Sequence, residues 1–189
     1  MKSLKKILPI IFINLLNVGV AQNYTVINNG SSITFTIRNL GFAVTGSFKN
    51  LQGNIVFDAN RLSASSFNVT LSAATIDTKN NARDKHLKKE EYFDVVKYPT
   101  IAFVSDKIEK ETATNTYKVT GKFTIKNKSK QVTFNFITTP TTNRLQFMGK
   151  VDLNRRDFGV GGSSMILSDN LILTLNVMAQ EKISIITDK

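Results

Sequence analysis

From Ile33 onward the chain alternates apolar and polar residues with a period of two, which leaves little besides antiparallel sheet open to it. Ile33, Phe35 and Ile37 alternate with Thr34, Thr36 and Arg38, and Phe67, Val69, Leu71 and Ala73 alternate with Asn68, Thr70 and Ser72. Successive side chains of a strand point to opposite faces, so each run buries one face and wets the other. Val119, Phe123 and Ile125 alternate with Lys118, Thr120, Lys122, Thr124 and Lys126, and the parity resumes at Val132, Phe134 and Phe136. Asn127 to Lys130 between them reads as the four-residue connection of a hairpin. Two more runs are Leu145 to Leu153 and Leu171 to Val177, with shorter candidates at Val44 to Phe48, Gly53 to Phe57 and Ile101 to Ser105. Asn28-Asn29-Gly30, Lys49-Asn50 and Gly159 to Gly162 carry turn chemistry. Many alternating strands joined by short turns predict an all-β chain, closed as a barrel or stacked as a sandwich.

One segment departs from the period. Thr78 to Asp94 is charged, lacks Gly and Pro, and offers Asn80 or Asn81 as an N-cap ahead of Asp84, so a short helix is expected there. Pro99 then leads into the Ile101 strand. A long excursion between strands of a meander is more often a lid, plug or functional loop than a plain connector.

The N-terminus reads as an address. Lys2, Lys5 and Lys6 precede an apolar stretch from Ile7 to Val20 that is interrupted by Pro9, Asn14 and Asn17. A membrane span needs about 20 predominantly apolar residues, and this stretch is shorter. Gly19-Val20-Ala21 supplies small residues for cleavage, so residues 1–21 are expected to be a signal peptide, with one domain over residues 22–189. The destination is then periplasmic or secreted, and the mature protein is not expected to be an integral membrane protein. Export commonly brings disulfides, but the chain has no cysteine. Its apolar core must carry stability, and thiol nucleophiles, thiolate metal sites and a lipid-modified N-terminal cysteine are excluded. With His86 as the one histidine, multi-histidine metal sites are excluded too. No cofactor and no metal are expected.

The formal charge is +11, and losing residues 1–21 removes three lysines and no acid, so the domain stays basic. Lys118, Lys122, Lys126, Lys128 and Lys130 cluster, but the first three share one strand parity and read as a solvated outer face. No interleaved aromatic platform accompanies them, so nucleic acid is not an expected partner.

Thirteen phenylalanines and no tryptophan make the aromatic usage unusual. Phe35, Ile37, Phe48, Phe103, Phe123, Phe134, Phe136, Phe147, Leu173 and Leu175 hold the apolar parity of strands and are the candidates to line an interior. Phe48 among them sits on a short strand. A barrel of about eight strands can be filled by its own side chains or hold one small ligand, and spacing alone leaves both open.

The residues resemble the bacterial YceI family of lipocalin-like, lipid-binding proteins. The blocks that carry the resemblance are Ser32 to Phe48 (SITFTIRNLGFAVTGSF), Gly53 to Asp58 (GNIVFD) and Ile76 to Phe103 (IDTKNNARDKHLKKEEYFDVVKYPTIAF). Val119 to Lys126 (VTGKFTIK) and Asn154 to Gly159 (NRRDFG) agree in order. The resemblance implies a lipocalin-like, up-and-down antiparallel β-barrel of about eight strands with one short helical excursion. It also implies a polyisoprenoid or similar amphiphilic lipid as the partner, held in an apolar interior without catalysis. Where many relatives have a histidine before Leu-Gly, this chain has Asn39.

Asn39, Arg83, His86 and Arg155 are the candidate polar headgroup contacts. Structural roles compete with that reading: His86 on a helix surface, and Arg83 with Asp84 or Arg155 with Asp157 as ion pairs at strand ends. A hydrolase using carboxylates near His86 is the alternative of a different class, but no Gly-x-Ser-x-Gly elbow or nameable nucleophile-base pair supports it. A third alternative is a filled-core barrel acting as an interaction module. The sequence leaves monomer and homodimer both open.

Overall fold

The computed structural model describes residues 22–182. The expected leader, residues 1–21, lies outside them. Nine strands are present among the described residues: β1 (Gln22–Asn39), β2 (Phe42–Phe48), β3 (Gln52–Phe57), β4 (Ser66–Ser72), β5 (Thr100–Lys110), β6 (Thr116–Ile125), β7 (Lys128–Thr141), β8 (Arg144–Asn154) and β9 (Leu167–Glu181). Consecutive strands from β3 to β9 pair antiparallel, and β9 returns to pair with β1 from Tyr24↔Glu181 to Asn39↔Leu167. The sheet therefore closes on itself, which removes most of the unpaired edge an open sheet would present; the outer edge of β2 is met at the Ser47–Asp77 bridge.

The nine strands occupy eight positions around the barrel. Strand β2 pairs with the second half of β1 (Ile33↔Phe48 to Asn39↔Phe42), while β3 pairs with its first half (Gln22↔Phe57 to Thr25↔Asn54). The two are one barrel position broken at Lys49-Asn50-Leu51, so that turn interrupts a strand without reversing the chain. Expected turns differ from the structure at two further places. Asn28-Asn29-Gly30 forms a bulge inside β1, where the register to β9 shifts between Ile27 and Ser32 and the Ser31 hydroxyl accepts from Met178 N at 2.8 Å. The β6–β7 hairpin turns on two residues, Lys126 and Asn127, both at positive φ, and Lys128 already pairs with Ile125. A right-twisted hairpin favours this tight mirror-image turn over the expected four-residue loop.

All chain reversals at one end, the mouth end, are the β1–β2 turn, residues 73–99, the β6–β7 turn and residues 155–166. The opposite end is closed by a plug of rings. Phe57 meets Tyr117, Phe136 and Phe147 with centroids 5.0, 6.1 and 5.6 Å apart, and Phe67 meets Phe136 and Phe147 at 5.3 and 5.5 Å. Tyr24 adds its edge to Phe147 at 6.4 Å. Each edge-to-face pair contributes about 0.5–1.5 kcal/mol beyond the apolar area it buries. Phenylalanine at successive inward positions thus fills the closed end.

The helix is shorter than Thr78 to Asp94. It is α1, Asn81–Leu87, capped by Asn80, whose side chain accepts from Arg83 N at 3.0 Å. Residues 88–98 continue as turns that return the chain to β5.

Candidate functional site

The excursion between β4 and β5 builds the roof of the mouth end. After Ser72 the chain runs beside β2, joined by the Ser47–Asp77 bridge and by Lys49 N donating to Thr75 Oγ1 at 2.9 Å. Asp84, buried on α1, accepts from Thr78 N at 2.9 Å and from Thr78 Oγ1 at 2.6 Å. The hydroxyl of Thr78 also accepts from Arg83 Nε at 2.7 Å, and Arg83 Nη2 donates to the Thr78 carbonyl at 2.8 Å. Arg83 and Asp84 therefore act through Thr78 and not as the direct ion pair expected. The far side of the roof is tied down where Gly161 N donates to the Glu91 carbonyl at 2.9 Å. Lys126 Nζ joins it by donating to the Glu90 and Gly159 carbonyls at 2.7 and 3.1 Å, so this lysine is a structural tie and not part of a solvated outer face.

Residues 155–166 complete the rim. Asn154 accepts from Arg156 N at 2.9 Å, and a 3-10 turn over Arg155–Phe158 ends at Gly159 with φ 67°. This turn drives Phe158 inward against Phe123, centroids 6.0 Å apart. Arg155 is buried and its five N–H groups are all engaged. Nε donates to the Ser168 carbonyl at 2.9 Å, Nη1 to the carbonyls of Val160 and Gly162 at 3.0 and 2.9 Å, and Nη2 to Leu167 O at 3.4 Å and Asp169 Oδ1 at 2.7 Å. Its charge partner is Asp169 and not the expected Asp157, which lies 3.7 Å from Lys130. Asp169 wins because β9 runs directly beside the turn and presents its carboxylate to the buried guanidinium.

Below this roof lies a cavity of about 390 Å³. Phe35, Ile37, Phe48, Phe123 and Leu173 line it, together with all four polar candidates, Asn39, Arg83, His86 and Arg155. A second void of about 90 Å³ lies deeper, toward the plug, lined by Phe103, Phe134, Phe136, Phe147 and Leu175. Leu71, Ile101, Phe123 and Leu173 line both, so the two are stacked along the barrel. Phe136 and Phe147 are at once the floor of the deeper void and members of the plug. Each of the ten candidate lining residues borders one of these two voids; Phe48 is 8% exposed and packs edge-on to Phe93 at 5.6 Å.

Several wall residues escaped the sequence argument. Leu71, Ile101, Ile125, Leu153 and Leu171 share the inward parity and could have been found by it. Tyr92, Phe93 and Phe158 could not, because they enter from turns, where no period marks a side chain's direction.

The polar groups of the larger cavity all belong to mouth-end elements, and they differ in what they leave free. Arg155 has no N–H to offer. The carboxamide oxygen of Asn39 is buried without a hydrogen-bond partner, the single such side-chain atom among the described residues. Burying an amide oxygen unpaired costs about 1–3 kcal/mol, which a ligand donor would recover. His86 lies on the surface of α1, half exposed, with Nε2 3.8 Å from Glu91 and its ring 5.0 Å from Tyr92. Among the described residues no cluster of three or more acidic, histidine or cysteine side chains could hold a metal ion, and no helix is long and apolar enough to cross a membrane.

Comparison with known proteins places this architecture. A protein of Pseudomonas syringae pv. tomato named UPF0312 protein is 37% identical over 116 residues, 58% of this chain and 60% of that one. The match thus spans less than two thirds of that relative's length. Among solved structures, Burkholderia cenocepacia BcnA superposes with a TM-score of 0.78 at 25% identity, covering 82% of this chain and 99% of that one. A polyisoprenoid-binding domain from Saccharophagus degradans, implicated in plant cell wall breakdown, has the same fold, with a TM-score of 0.66 at 9% identity and coverage of 84% and 98%. The model of the YceI-like domain matches residues 24–183, almost the whole of the barrel, and the chain belongs to the YceI-like family.

Proposed function

We propose that this protein binds, and carries or stores, a long apolar lipid of the isoprenoid type, tail inward in the barrel and polar end at the mouth, without chemical turnover. The observation that carries the reading is the apolar cavity of about 390 Å³, with a second void stacked beneath it, that gathers its polar lining at one end. Small-molecule sites commonly enclose about 300–1,000 Å³, with mostly apolar walls and a few polar groups that orient the ligand. Each CH₂ moved from water onto such walls contributes about 0.8 kcal/mol, so a chain of isoprene units needs no covalent chemistry to be held. The Saccharophagus degradans domain of the same fold binds a polyisoprenoid, which supports the ligand class. A cavity of this size disfavours the filled-core interaction module. The hydrolase alternative rests on the His86 Nε2–Glu91 contact at 3.8 Å, in which both side chains are at least half exposed to water.

Native mass spectrometry of the protein purified from its own cells, followed by lipid extraction, tests the reading. A bound amphiphile released on denaturation, or uptake of an added polyprenol by the delipidated protein, is the expected result. A delipidated protein that takes up no polyprenol overturns it. Export belongs to the same proposal: N-terminal sequencing of the native protein is expected to start at or near Gln22, and recovery of Met1 counts against a periplasmic or secreted carrier.

A further inference from the structure

The mouth end exposes apolar side chains that the fold does not use. Met165 and Phe42 are 104% and 77% exposed, and Leu40 and Ile166 are more than half exposed. They form one patch, because Leu40 N donates to the Ile166 carbonyl at 2.8 Å and Phe42 pairs with Asn39 across the same turn. The Ser164 hydroxyl accepts from Ile166 N and Leu167 N at 3.2 and 3.0 Å, which folds the loop so that Met165 stands at its tip. Val96, on the roof, is 92% exposed at the same end. Among the described residues the other exposed large apolar side chains, Val104, Ile137 and Ile172, are single and lie on the walls. Leu40 also occupies a left-handed conformation (φ 51°) that suits asparagine or glycine better than leucine. Neither solubility nor turn geometry accounts for leucine at that position.

The patch borders the cavity: Ile166, Ser164 and Asn39 line it on one side, and Arg83 and His86 of α1 on the other. Beyond α1 the surface is basic. Lys85, Lys89 and Lys97 are exposed, with Lys88 half-exposed, and Arg38 is exposed beside the β1–β2 turn. The carboxylates of this end are largely occupied: Asp77 by Lys79, Glu91 near His86, Asp157 near Lys130 and Asp169 by Arg155. Glu90 and Asp94 are the exceptions, so cations prevail.

We propose that the mouth end docks on an anionic phospholipid bilayer, with Leu40, Phe42, Met165 and Ile166 entering the acyl boundary and the lysines of the roof meeting headgroup phosphates. The proposal rests on the lipid-binding reading and adds how the ligand is exchanged. Apolar side chains rimmed by basic ones are the composition that binds at a bilayer interface, with strength set by buried apolar area and attraction to anionic lipid. Because the patch adjoins the opening, a lipid could pass between bilayer and cavity without exposing its tail to water.

Flotation with vesicles of phosphatidylethanolamine and phosphatidylglycerol, against phosphatidylcholine alone, tests this on protein recovered from cells with its N-terminus sequenced. The protein is expected to favour the anionic vesicles and to leave them as salt rises. Phe42→Ser with Met165→Ser, both at exposed positions, is expected to weaken partition about tenfold or more, with an unchanged unfolding midpoint and unchanged uptake of polyprenol from detergent. Lys85→Glu with Lys89→Glu is expected to weaken partition onto the anionic vesicles and flatten its salt dependence. The proposal is overturned if the native protein shows no preference for anionic vesicles, or if the apolar double variant floats as well as the native protein. Sedimentation showing a dimer that the same variant dissolves overturns it as well, assigning the patch to a second copy of the chain. A protein that floats but takes up no polyprenol from any source leaves the docking intact and removes the lipid-carrier reading.

Discussion

Arg155 Nη2 donates to Asp169 Oδ1 at 2.7 Å, and the two side chains are unequal partners: the arginine is 4% exposed and the aspartate 43%. The arginine also holds four carbonyls of residues 160–168. Arg155→Leu is expected to cost about 3–5 kcal/mol in urea unfolding, because those carbonyls and Asp169 lose their donors together. Asp169→Asn removes the half-exposed charge that faces Arg155 and Arg156 but keeps an oxygen to accept from Arg155, and is expected to cost well under half as much. Arg155→Lys should recover little, since one ammonium cannot span the fork of acceptors. Equal losses for Arg155→Leu and Asp169→Asn would locate the stabilisation in the ion pair and refute the carbonyl argument.

Phe123 stands where the two voids meet, and its replacement separates binding from acid-base chemistry. Phe123→Asp places a carboxyl in an apolar wall at a cost of several kcal/mol unless it takes up a proton. Lipid retention measured by native mass spectrometry is expected to fail, with unfolding curves run alongside to detect loss of fold. His86→Gln keeps a polar side chain on the α1 surface and is expected to keep most of the lipid. A folded His86→Gln variant that holds none would make the imidazole a ligand contact.

Gly46 lies opposite Phe35 in the β1–β2 ladder, and a Cβ added there would stand 2.3 Å from Phe35 Cζ. The glycine is the space in which that ring lies. Gly46→Ala is therefore expected to push Phe35 into the cavity, costing about 1–3 kcal/mol and shortening the longest lipid retained. Adding Phe35→Leu should restore both the thermal midpoint and the ligand length. If Gly46→Ala alone leaves both unchanged, the ring has another place to go.

Tyr24 gives the plug an alkaline limit. Burial first, then the charges of Glu181 and Asp58, raise its hydroxyl above the usual tyrosine value of 10.0. The hydroxyl donates to Gln22 Oε1 at 2.6 Å. A raised pKa means that the neutral form is favoured in the fold. Its contribution is whole below the unfolded tyrosine pKa and is lost as pH rises through the folded one. Stability should therefore fall on the alkaline side, above about pH 10. Tyr24→Phe is expected to lose about 1 kcal/mol near neutrality through the missing hydrogen bond, and to flatten that alkaline fall. Urea midpoints taken at both pH values measure it, and an undiminished alkaline fall in Tyr24→Phe would assign it to other groups.

Much of the barrel is legible from parity alone. Phe35, Phe123, Phe134, Phe147 and Leu173 face inward because a strand with one apolar face has a single stable way to lie on a core. Parity does not report how a strand is interrupted. The break at Lys49-Asn50 looks the same in sequence as a reversal, and the bulge at Asn28-Asn29-Gly30 looks the same as a turn. Each was decided by which partner the chain could pair with across the sheet.

Neither the volume of the interior nor the occupation of its polar groups is written locally. Phenylalanine has the same parity in the plug as in the lining. Phe136 and Phe147 close the barrel because Phe57, Phe67 and Tyr117 converge on them, whereas Phe35 and Phe123 border open space beneath a roof of turns. Arg155 and Asn39 look alike as polar candidates at strand ends, yet Arg155 has every N–H engaged and Asn39 keeps an oxygen without a partner. Strand content, inward faces, the helical excursion and the family resemblance can all be read from the order of residues along the chain. Tertiary structure alone decided where the barrel is filled, where it is hollow, and which polar atoms at the mouth stay free, because each depends on side chains brought together from distant strands and loops.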